Sequence, residues 1–185
     1  VEVGSFLSSG VDSSYVAATF NGDKTFTVGF DYEKYNEIDY AKALSEKIQI
    51  DNYSKLVSSE EYWAAIPKIQ YHMDEPLADP AAIALYFVSQ TAAKHVKVAM
   101  SGEGADEIFG GYLYFRNAPS VLDFQKETIE RVQKLFTADL LRADKSTMAH
   151  GLEARVPFLD KAFLDLAIKI QPEEKMPKTY DGIEK

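Results

Sequence analysis

A run of small and polar residues, L-S-S-G-V-D-S-S, occupies Leu7–Ser14 between a short apolar segment and a helical pattern. Small residues let the backbone approach a bound anion, and the N–H groups at the start of a helix favour negative charge. The hydroxyls of Ser8, Ser13 and Ser14 would add hydrogen-bond donors. Asp12 would repel phosphate, so it makes sense in such a loop if it holds a Mg²⁺ ion that bridges the phosphates. The run indicates a phosphate-binding loop or, equally, a serine-rich helix cap that uses Asp12 and Ser13.

A second run, S-G-E-G-A-D-E-I-F-G-G-Y at Ser101–Tyr112, combines four glycines with three acids. Glycines beside carboxylates suggest a backbone packed closely around a ligand while the acids point at it. Three neighbouring acids also repel each other unless a metal ion or a cationic substrate lies among them. A solvated acidic loop is the plain alternative. We favour a ligand site because the run directly follows the buried strand pattern of Val96–Ser101.

A third stretch, R-A-D-K-S-T-M-A-H-G-L-E-A-R-V-P-F-L-D at Arg142–Asp160, carries basic residues among acids. Glu153 and Arg155 are expected to form a structural ion pair, with direct contact to a ligand as the alternative. Arg142 and Arg116 are candidates for binding a phosphate or a substrate carboxylate. The stretch therefore offers positive charge that the first two runs lack.

The segment Tyr71–Ala81, Y-H-M-D-E-P-L-A-D-P-A, places three acids before a helical pattern. Asp74, Glu75 and Asp79 have carboxylates that could reach a ligand site. Asp79 is better explained as a helix cap, because an acid followed by proline is typical of a helix start. His150, in the third stretch, is as readily a hydrogen-bonded structural histidine as a catalytic one.

Apolar strand-like segments alternate with helical patterns along the chain. The predicted strands are Val1–Ser8, Thr25–Phe30, Tyr53–Val57 and Val96–Ser101. The predicted helices are Gly10–Phe20, Asn36–Ile48, Ser58–Tyr71, Ala81–Lys94, Pro119–Asp144 and Leu159–Ile170. This alternation predicts an α/β fold, with right-handed crossovers and a parallel sheet flanked by helices. Ligands bind such sheets beyond the carboxyl ends of the strands, which is where the first two runs fall.

Two of the predicted helices have informative apolar patterns. Ala81–Lys94 is apolar almost all round, which predicts deep burial, and Ser58 with Glu61 forms a capping-box pattern at the start of the preceding helix. The last predicted helix has an apolar stripe that we expect to face the core. The stripe consists of Leu159, Ala162, Phe163, Leu166, Ala167 and Ile170.

The composition restricts the classes of protein to consider. The 185 residues suffice for one domain, which we expect to span 1–185. A net charge of −9, from 20 basic and 29 acidic residues, argues against a nucleic-acid-binding module. The chain has no cysteine, which excludes disulfides and cysteine nucleophiles within it and fits a reducing compartment.

No run approaches the roughly 20 apolar residues that span a bilayer, so no membrane partner is expected. Because the chain starts at Val1 in a strand-like run and stops at Lys185, we expect a truncated fragment.

Together the three runs resemble the synthetase domain of glutamine-dependent asparagine synthetases, and the resemblance covers most of the chain. Leu7–Ser14 lacks the Walker pattern and is similar to the S-G-G-x-D-S pyrophosphate loop of the ATP pyrophosphatase superfamily, with Ser9 in place of the first glycine. Ser101–Tyr112 closely resembles the signature S-G-E-G-A-D-E-x-F-G-G-Y. The third stretch resembles a second signature that ends in E-A-R-V-P-F-L-D.

The resemblance implies roles for individual residues. Glu103 would be the acid needed to form and use an acyl-adenylate, and Lys145 would stabilise charge on the transferring phosphoryl group. Asp12 and Asp106 would hold Mg²⁺ with the pyrophosphate, and Glu107 would orient its neighbours. The residues implied to contact ATP are Leu7, Ser8, Ser9, Gly10, Val11, Asp12, Ser13, Ser14, Val28, Ser101 and Gly102.

The resemblance also implies a reaction. ATP and Mg²⁺ would convert L-aspartate into β-aspartyl-AMP and pyrophosphate, and ammonia would then displace AMP to give L-asparagine, with Glu103 accepting a proton. An N-terminal glutaminase domain of the parent protein would supply the ammonia through a cysteine that this chain does not have. The expected compartment is the cytoplasm, and a homodimer remains open as an assembly state.

Two other interpretations remain open from the sequence alone. The first is a related enzyme, such as a β-lactam synthetase, that activates a different carboxylate. The second is an ATP-binding module without catalysis, which the fragment and Ser9 make worth testing. The presence of Asp12, Glu103 and Lys145 together favours an enzyme, because a pure binding module does not need all three.

Overall fold

A computed structural model describes residues 1–32 and 36–176 of the chain. The chain divides into two compact units. The first consists of Val1–Ser101 and Leu141–Arg155, and the second consists of Gly102–Leu140 and the residues from Val156 onward. The expectation of a single domain over 1–185 stays a prediction.

The first unit contains a five-stranded, fully parallel sheet. Its strands are β1 Val3–Phe6, β2 Lys24–Phe30, β3 Asp51–Val57, β4 Val98–Met100 and β5 Glu153–Arg155, in the order β3-β2-β1-β4-β5. The predicted parallel sheet is confirmed. The sequence missed β5, because its three residues include two charged ones and show no apolar period, and the strand forms by backbone pairing of Glu153 beside Val98.

The helices follow the strands as the alternation predicted. They are α1 Val11–Thr19, α2 Ile38–Ile48, α3 Ser59–Met73, α4 Ala81–Ala92, α5 Ala105–Phe109, α6 Val121–Lys134, α7 Asp139–Met148, α8 Lys161–Ala167 and α9 Pro172–Lys175. The helix predicted for Pro119–Asp144 is divided between α6 and α7 by a 3-10 turn at Leu135–Thr137. Helices α5, α6, α8 and α9 belong to the second unit.

Helices cover both faces of the sheet. Phe6, at the end of β1, packs with Val88 and Ala92 of α4. The next residue, Leu7, packs with Ala17 of α1 and Ala41 of α2. Successive residues of a strand point to opposite faces, so these two clusters lie on opposite sides of the sheet. The phosphate-loop candidate therefore starts inside a three-layer arrangement.

Local sequence signals account for the start of α3 and for the burial of α4. Ser58 accepts a hydrogen bond from Glu61 N at 3.2 Å, and the Glu61 carboxylate accepts one from Ser58 N at 3.0 Å. This confirms the predicted capping box, a feature that stabilises a helix by about 1 kcal/mol. The deep burial predicted for α4 is also confirmed, because most of its residues are buried.

The apolar stripe predicted for Leu159–Ile170 is wrong for half of its six members, because Ala162, Leu166 and Ile170 are exposed. Ala167 is buried, but Leu166 is 67% exposed and Ile170 is exposed as well. The physical reason is the length of α8, which ends at Ala167 after seven residues and leaves Ile170 beyond it. The helix packs mainly through Phe163, whose ring lies edge-on to Phe158 at 5.6 Å.

Candidate functional site

The loop after β1 is closed by its own serines. Ser8 N donates to Ser13 Oγ at 3.1 Å, and the two hydroxyls lie 2.8 Å apart. Gly10 N donates to Ser8 Oγ at 3.1 Å. Gly10 is the N-cap of α1 and offers it no side chain, and the Ser13 hydroxyl donates to Gly10 O at 3.1 Å. Asp12 lies half-buried in the first turn of α1.

Ser9 is held from outside the loop. Its main-chain N–H donates to Glu37 Oε2 at 3.1 Å, and its hydroxyl donates to Glu37 Oε1 at 2.9 Å. Ser9 is not in the left-handed region, since the positive-φ residues other than glycine in the described part of the chain are Gln49 and Asp74. Ser9, which stands where the family pattern has glycine, therefore has an unstrained backbone.

Other predicted ATP contacts lie around this loop. Leu7 is buried, and its carbonyl accepts a hydrogen bond from Thr27 Oγ1 at 2.9 Å. Val28 is half-buried on β2, where it packs against the core clusters beside α4. Ser14 Oγ lies 3.4 Å from Tyr40 Oη. Val11 is exposed at the start of α1. These contacts with ATP stay predictions.

Strand pairing brings Ser101 to the same edge of the sheet as the loop. β1 and β4 are adjacent and parallel, with Ser5 beside Met100, so Ser101 and Leu7 follow neighbouring strands at their carboxyl ends. Ser101 is buried and its N–H donates to Arg155 O at 2.8 Å, which extends the pairing with β5. This edge is where ligands bind parallel α/β sheets.

The acidic run forms a short helix enclosed by glycines in the second unit. Gly104 precedes α5 with φ +92°, and Gly110 follows it with φ +68°. A Cβ at Gly104 would lie 2.6 Å from the Leu159 side chain, and one at Gly110 would lie 2.5 Å from Phe124. Both positions need glycine for conformation and for space. Gly104 and Gly110 are spaced as they are because one precedes α5 and the other follows it.

Glu107 points into the second unit. It is 3% exposed and accepts a hydrogen bond from Tyr112 Oη at 2.6 Å. Burial and the hydrogen bond to Glu107 raise the pKa of the Tyr112 phenol far above its usual value. The expectation that Glu107 orients neighbouring groups agrees with this contact.

The remaining acids and Gly102 of this run are less enclosed. Gly102, Glu103 and Asp106 are half-buried in the second unit, and the Asp106 carbonyl accepts a hydrogen bond from Gly111 N at 2.9 Å. Within residues 1–32 and 36–176, no group of three or more His, Asp or Glu side chains is close enough to hold a metal ion. The roles assigned to Glu103 and Asp106 stay predictions.

Lys145, on α7 of the first unit, is held at the end of α3. Its ammonium donates to Met73 O at 2.7 Å and to Asp74 Oδ2 at 2.8 Å. The hydrogen bond and the positive charge of Lys145 lower the pKa of the Asp74 carboxyl. The sequence singled out both residues, but nothing in it paired them.

Arg142 lies one helical turn before Lys145 and has a similar partner. Its guanidinium forms an ion pair with Asp79, which also accepts a hydrogen bond from Ala81 N at 2.9 Å. The helix-cap role predicted for Asp79 is therefore confirmed. Glu153 and Arg155 form the predicted ion pair at 2.8 Å, but both are exposed, and such pairs contribute little. Arg116, the other arginine candidate, is exposed in the second unit.

His150 packs against an aromatic ring. Its ring centroid lies 4.4 Å from that of Tyr86. Burial, helped by the charges of Lys68 and His72, lowers the pKa of His150, so the neutral ring is favoured. Packing of this kind agrees with a structural role.

Comparisons with known proteins match these motifs. The family model described as asparagine synthase matches residues 1–129 and 117–185. Asparagine synthetase 1 (glutamine-hydrolyzing) of Bacillus subtilis (strain 168) is 37% identical over 261 aligned residues, which cover 95% of this chain and 41% of that protein. The counterpart of the same name in Saccharomyces cerevisiae is 43% identical over 149 residues, covering 79% of this chain and 26% of that protein. That of Arabidopsis thaliana is 38% identical over 199 residues, covering 98% of this chain and 34% of that protein.

The chain thus spans about 41% or less of the length of these three relatives. In the described residues, no helix is long and apolar enough to cross a membrane. The family match extends across the loop after β1, the glycine-enclosed helix α5 and the stretch that carries Lys145. By this match and by its fold, the chain belongs to the asparagine synthase family.

Proposed function

We propose that the chain carries out the ATP-dependent step of asparagine synthesis. In the first half-reaction, a side-chain carboxylate oxygen of L-aspartate attacks the α-phosphorus of ATP. The bond from that phosphorus to the bridging oxygen breaks, which releases pyrophosphate and leaves β-aspartyl-AMP. In the second half-reaction, ammonia attacks the activated carbonyl carbon, AMP departs, and one proton from the nitrogen goes to a base. The products are L-asparagine, AMP and pyrophosphate.

One observation carries this proposal. The loop Leu7–Ser14 and Ser101 leave neighbouring parallel strands at the same edge of the sheet, and the acidic run begins at Ser101. In parallel α/β sheets this edge is the usual place for a nucleotide, and the start of α1 favours negative charge. The family match across both runs supports ATP as the nucleotide.

Two carboxylates suit the magnesium ion that would accompany ATP. Mg²⁺ usually keeps several waters and takes one or two protein carboxylates plus phosphate oxygens, so it does not need a cluster of three acids. The resemblance to the family implies Asp12, in the first turn of α1, and Asp106, on α5, as these carboxylates, and each is half-buried in its own unit. When bound, the ion would offset negative charge on the phosphates.

Lys145 and Glu103 would act on the reacting atoms. The Lys145 ammonium would donate to a phosphate oxygen while charge moves from the α-phosphorus to the departing pyrophosphate. Glu103 would accept the proton that ammonia loses when it attacks the acyl carbon. Both residues lie in the runs that match the family model.

The source of ammonia lies outside this chain in our proposal. The chain has no cysteine, so it offers no thiolate to attack glutamine. The relatives are named as glutamine-hydrolyzing enzymes and are more than twice as long, which supports a glutaminase domain in the parent protein. We place the reaction in the cytoplasm, where ATP and aspartate are available, and a homodimer is an assembly to test by sedimentation.

Pyrophosphate release tests the proposal directly. The chain is incubated with Mg-ATP and ammonium, with and without L-aspartate. We expect aspartate-dependent release that falls by about 100-fold or more in Glu103→Ala and Lys145→Ala. Lys42→Ala, which removes an exposed lysine from α2, is the matched control and should keep the wild-type rate. ATP binding without any aspartate-dependent release, in this chain and in the full-length protein, would instead indicate a binding module.

A further inference from the structure

We propose that Asp74 is a positioning residue that holds the ammonium of Lys145 where it can meet a phosphate oxygen. The proposal rests on the function proposed above, in which Lys145 acts on the phosphates. Asp74 begins the segment 74–80 that joins α3 to α4, which we call the acidic connector.

The first support is the geometry at Lys145. Two oxygens from consecutive residues, Met73 O and Asp74 Oδ2, accept from its ammonium at 2.7 and 2.8 Å. An ammonium has three donors, so two acceptors fix its position and leave a third N–H that a phosphate oxygen can accept. The Lys145 side chain is 23% exposed, whereas that of Asp74 is 76% exposed, so the ammonium is held near the surface and remains reachable.

The second support is the backbone of Asp74. It has φ 64° and ψ −38°, which is a strained conformation for a residue with a side chain. Strain of this kind persists where the surrounding structure enforces it, and it gathers at functional sites. Here it turns the chain at the end of α3 so that Met73 O and the Asp74 carboxylate face the same ammonium. Glycine would adopt this conformation more easily but would lack the carboxylate.

The third support is the way the acidic connector is fixed. The Gln70 side chain donates to Leu77 O at 2.8 Å and accepts from Leu77 N at 3.0 Å, which ties the connector to α3. At its far end, Asp79 pairs with Arg142, one turn before Lys145 on α7. The connector is therefore tied to α3 in its middle and to α7 at its far end, which restricts the movement of the segment that begins at Asp74.

The position of Lys145 can be tested without activity. The accessibility of the Lys145 amine is measured by brief acetylation with acetic anhydride, followed by mass spectrometry of the peptide that contains Lys145. In Asp74→Asn we expect Lys145 to react several times faster, because one of its two acceptors loses its charge. Glu75→Gln, which neutralises the next exposed carboxylate of the connector, is the matched control and should leave the labelling unchanged. Equal labelling of Lys145 in the wild type and Asp74→Asn would overturn the proposal.

Kinetics and stability then separate positioning from simple structural support. Asp74→Gly should lower aspartate-dependent pyrophosphate release by about tenfold through kcat, with little change in KM for ATP. Its melting temperature should stay the same or rise, because glycine relieves the strained backbone. A parallel loss of rate and melting temperature would mean that Asp74 only supports the fold. In a Lys145→Gln background, Asp74→Asn should cause no further loss of rate.

The two proposals fail in different ways. If the wild-type full-length protein releases no pyrophosphate with aspartate while Asp74→Asn exposes Lys145 to acetylation, the proposed function fails and the holding of Lys145 stands. If the wild type is active and Asp74→Asn changes neither labelling nor rate, the reaction stands and Asp74 has no positioning role.

Discussion

Ser9 and Glu37 are joined by two hydrogen bonds, so that a carboxylate sits on the loop proposed to bind the phosphates of ATP. The N–H and the hydroxyl of Ser9 donate to the two oxygens of Glu37 at 3.1 and 2.9 Å. A carboxylate that accepts from a loop N–H occupies a donor of the kind that phosphates use, and it also repels them. Glu37 should therefore weaken nucleotide binding.

Replacing Glu37 by glutamine tests this competition. Glutamine keeps an oxygen that can accept from Ser9 but removes the negative charge. We expect Mg-ATP to bind about two- to five-fold more tightly, as measured by isothermal titration calorimetry at low salt, and the gain should shrink as salt is added. Asp39→Asn neutralises an exposed acid in the first turn of the same helix and is the control. Weaker binding in Glu37→Gln would mean that the carboxylate is needed to hold the loop in shape.

The Tyr112 hydroxyl donates a hydrogen bond to the buried carboxylate of Glu107. Removing this hydroxyl should destabilise the second unit. In Tyr112→Phe the 3% exposed Glu107 loses the phenol that donates to it at 2.6 Å. An unsatisfied buried group of this kind costs about 1–3 kcal/mol, so the urea midpoint should fall accordingly. Tyr114→Phe removes a hydroxyl from an exposed neighbour and should change the midpoint little. Adding Glu107→Gln to Tyr112→Phe should recover part of the loss, whereas a Tyr112→Phe protein as stable as the wild type would contradict the contact.

Much of the first unit was predictable because its signals are local. The capping box at Ser58 and the cap at Asp79 depend on residues two or three positions apart, and the strand–helix alternation depends on short apolar periods. The contact between Lys145 and Asp74 joins residues 71 positions apart, and β5 forms only by pairing with β4. No spacing in the sequence encodes such contacts. The sequence therefore indicates Lys145 and Asp74 as candidate residues but does not predict that they pair.

Gly104 should tolerate alanine poorly for two separable reasons. Its φ is +92°, and an added Cβ would lie 2.6 Å from Leu159. The left-handed conformation costs about 1–2 kcal/mol and the overpacking about 1–3 kcal/mol, so we expect a combined loss near their sum in urea unfolding.

Gly151 offers a matched control for the clash. Its φ is +65°, but an added Cβ would meet no atom within 4 Å. Gly151→Ala should therefore show only the conformational cost of about 1–2 kcal/mol. The difference between the two variants measures the contact with Leu159, and equal losses would argue against that contact.

His150 should make the protein less stable as the pH falls. Burial lowers its pKa below the value of 6.5 that applies when the ring is exposed, so the unfolded chain takes up a proton first. The stability that depends on the neutral ring is complete above pH 6.5 and is lost as the pH falls through the folded-state pKa. Urea midpoints of the wild type and His150→Phe, compared at about pH 7.5 and about pH 5, measure this contribution. Phenylalanine keeps a ring against Tyr86, so the variant should lose less stability on acidification.

Lys68 provides a second variant for the same effect. Its positive charge contributes to the lowered pKa of His150, after burial. Lys68→Gln should therefore reduce the acid-induced loss of stability, but by less than His150→Phe, because burial of the ring remains. If His150→Phe keeps the full wild-type loss between the two pH values, other groups that take up protons in this range must account for it.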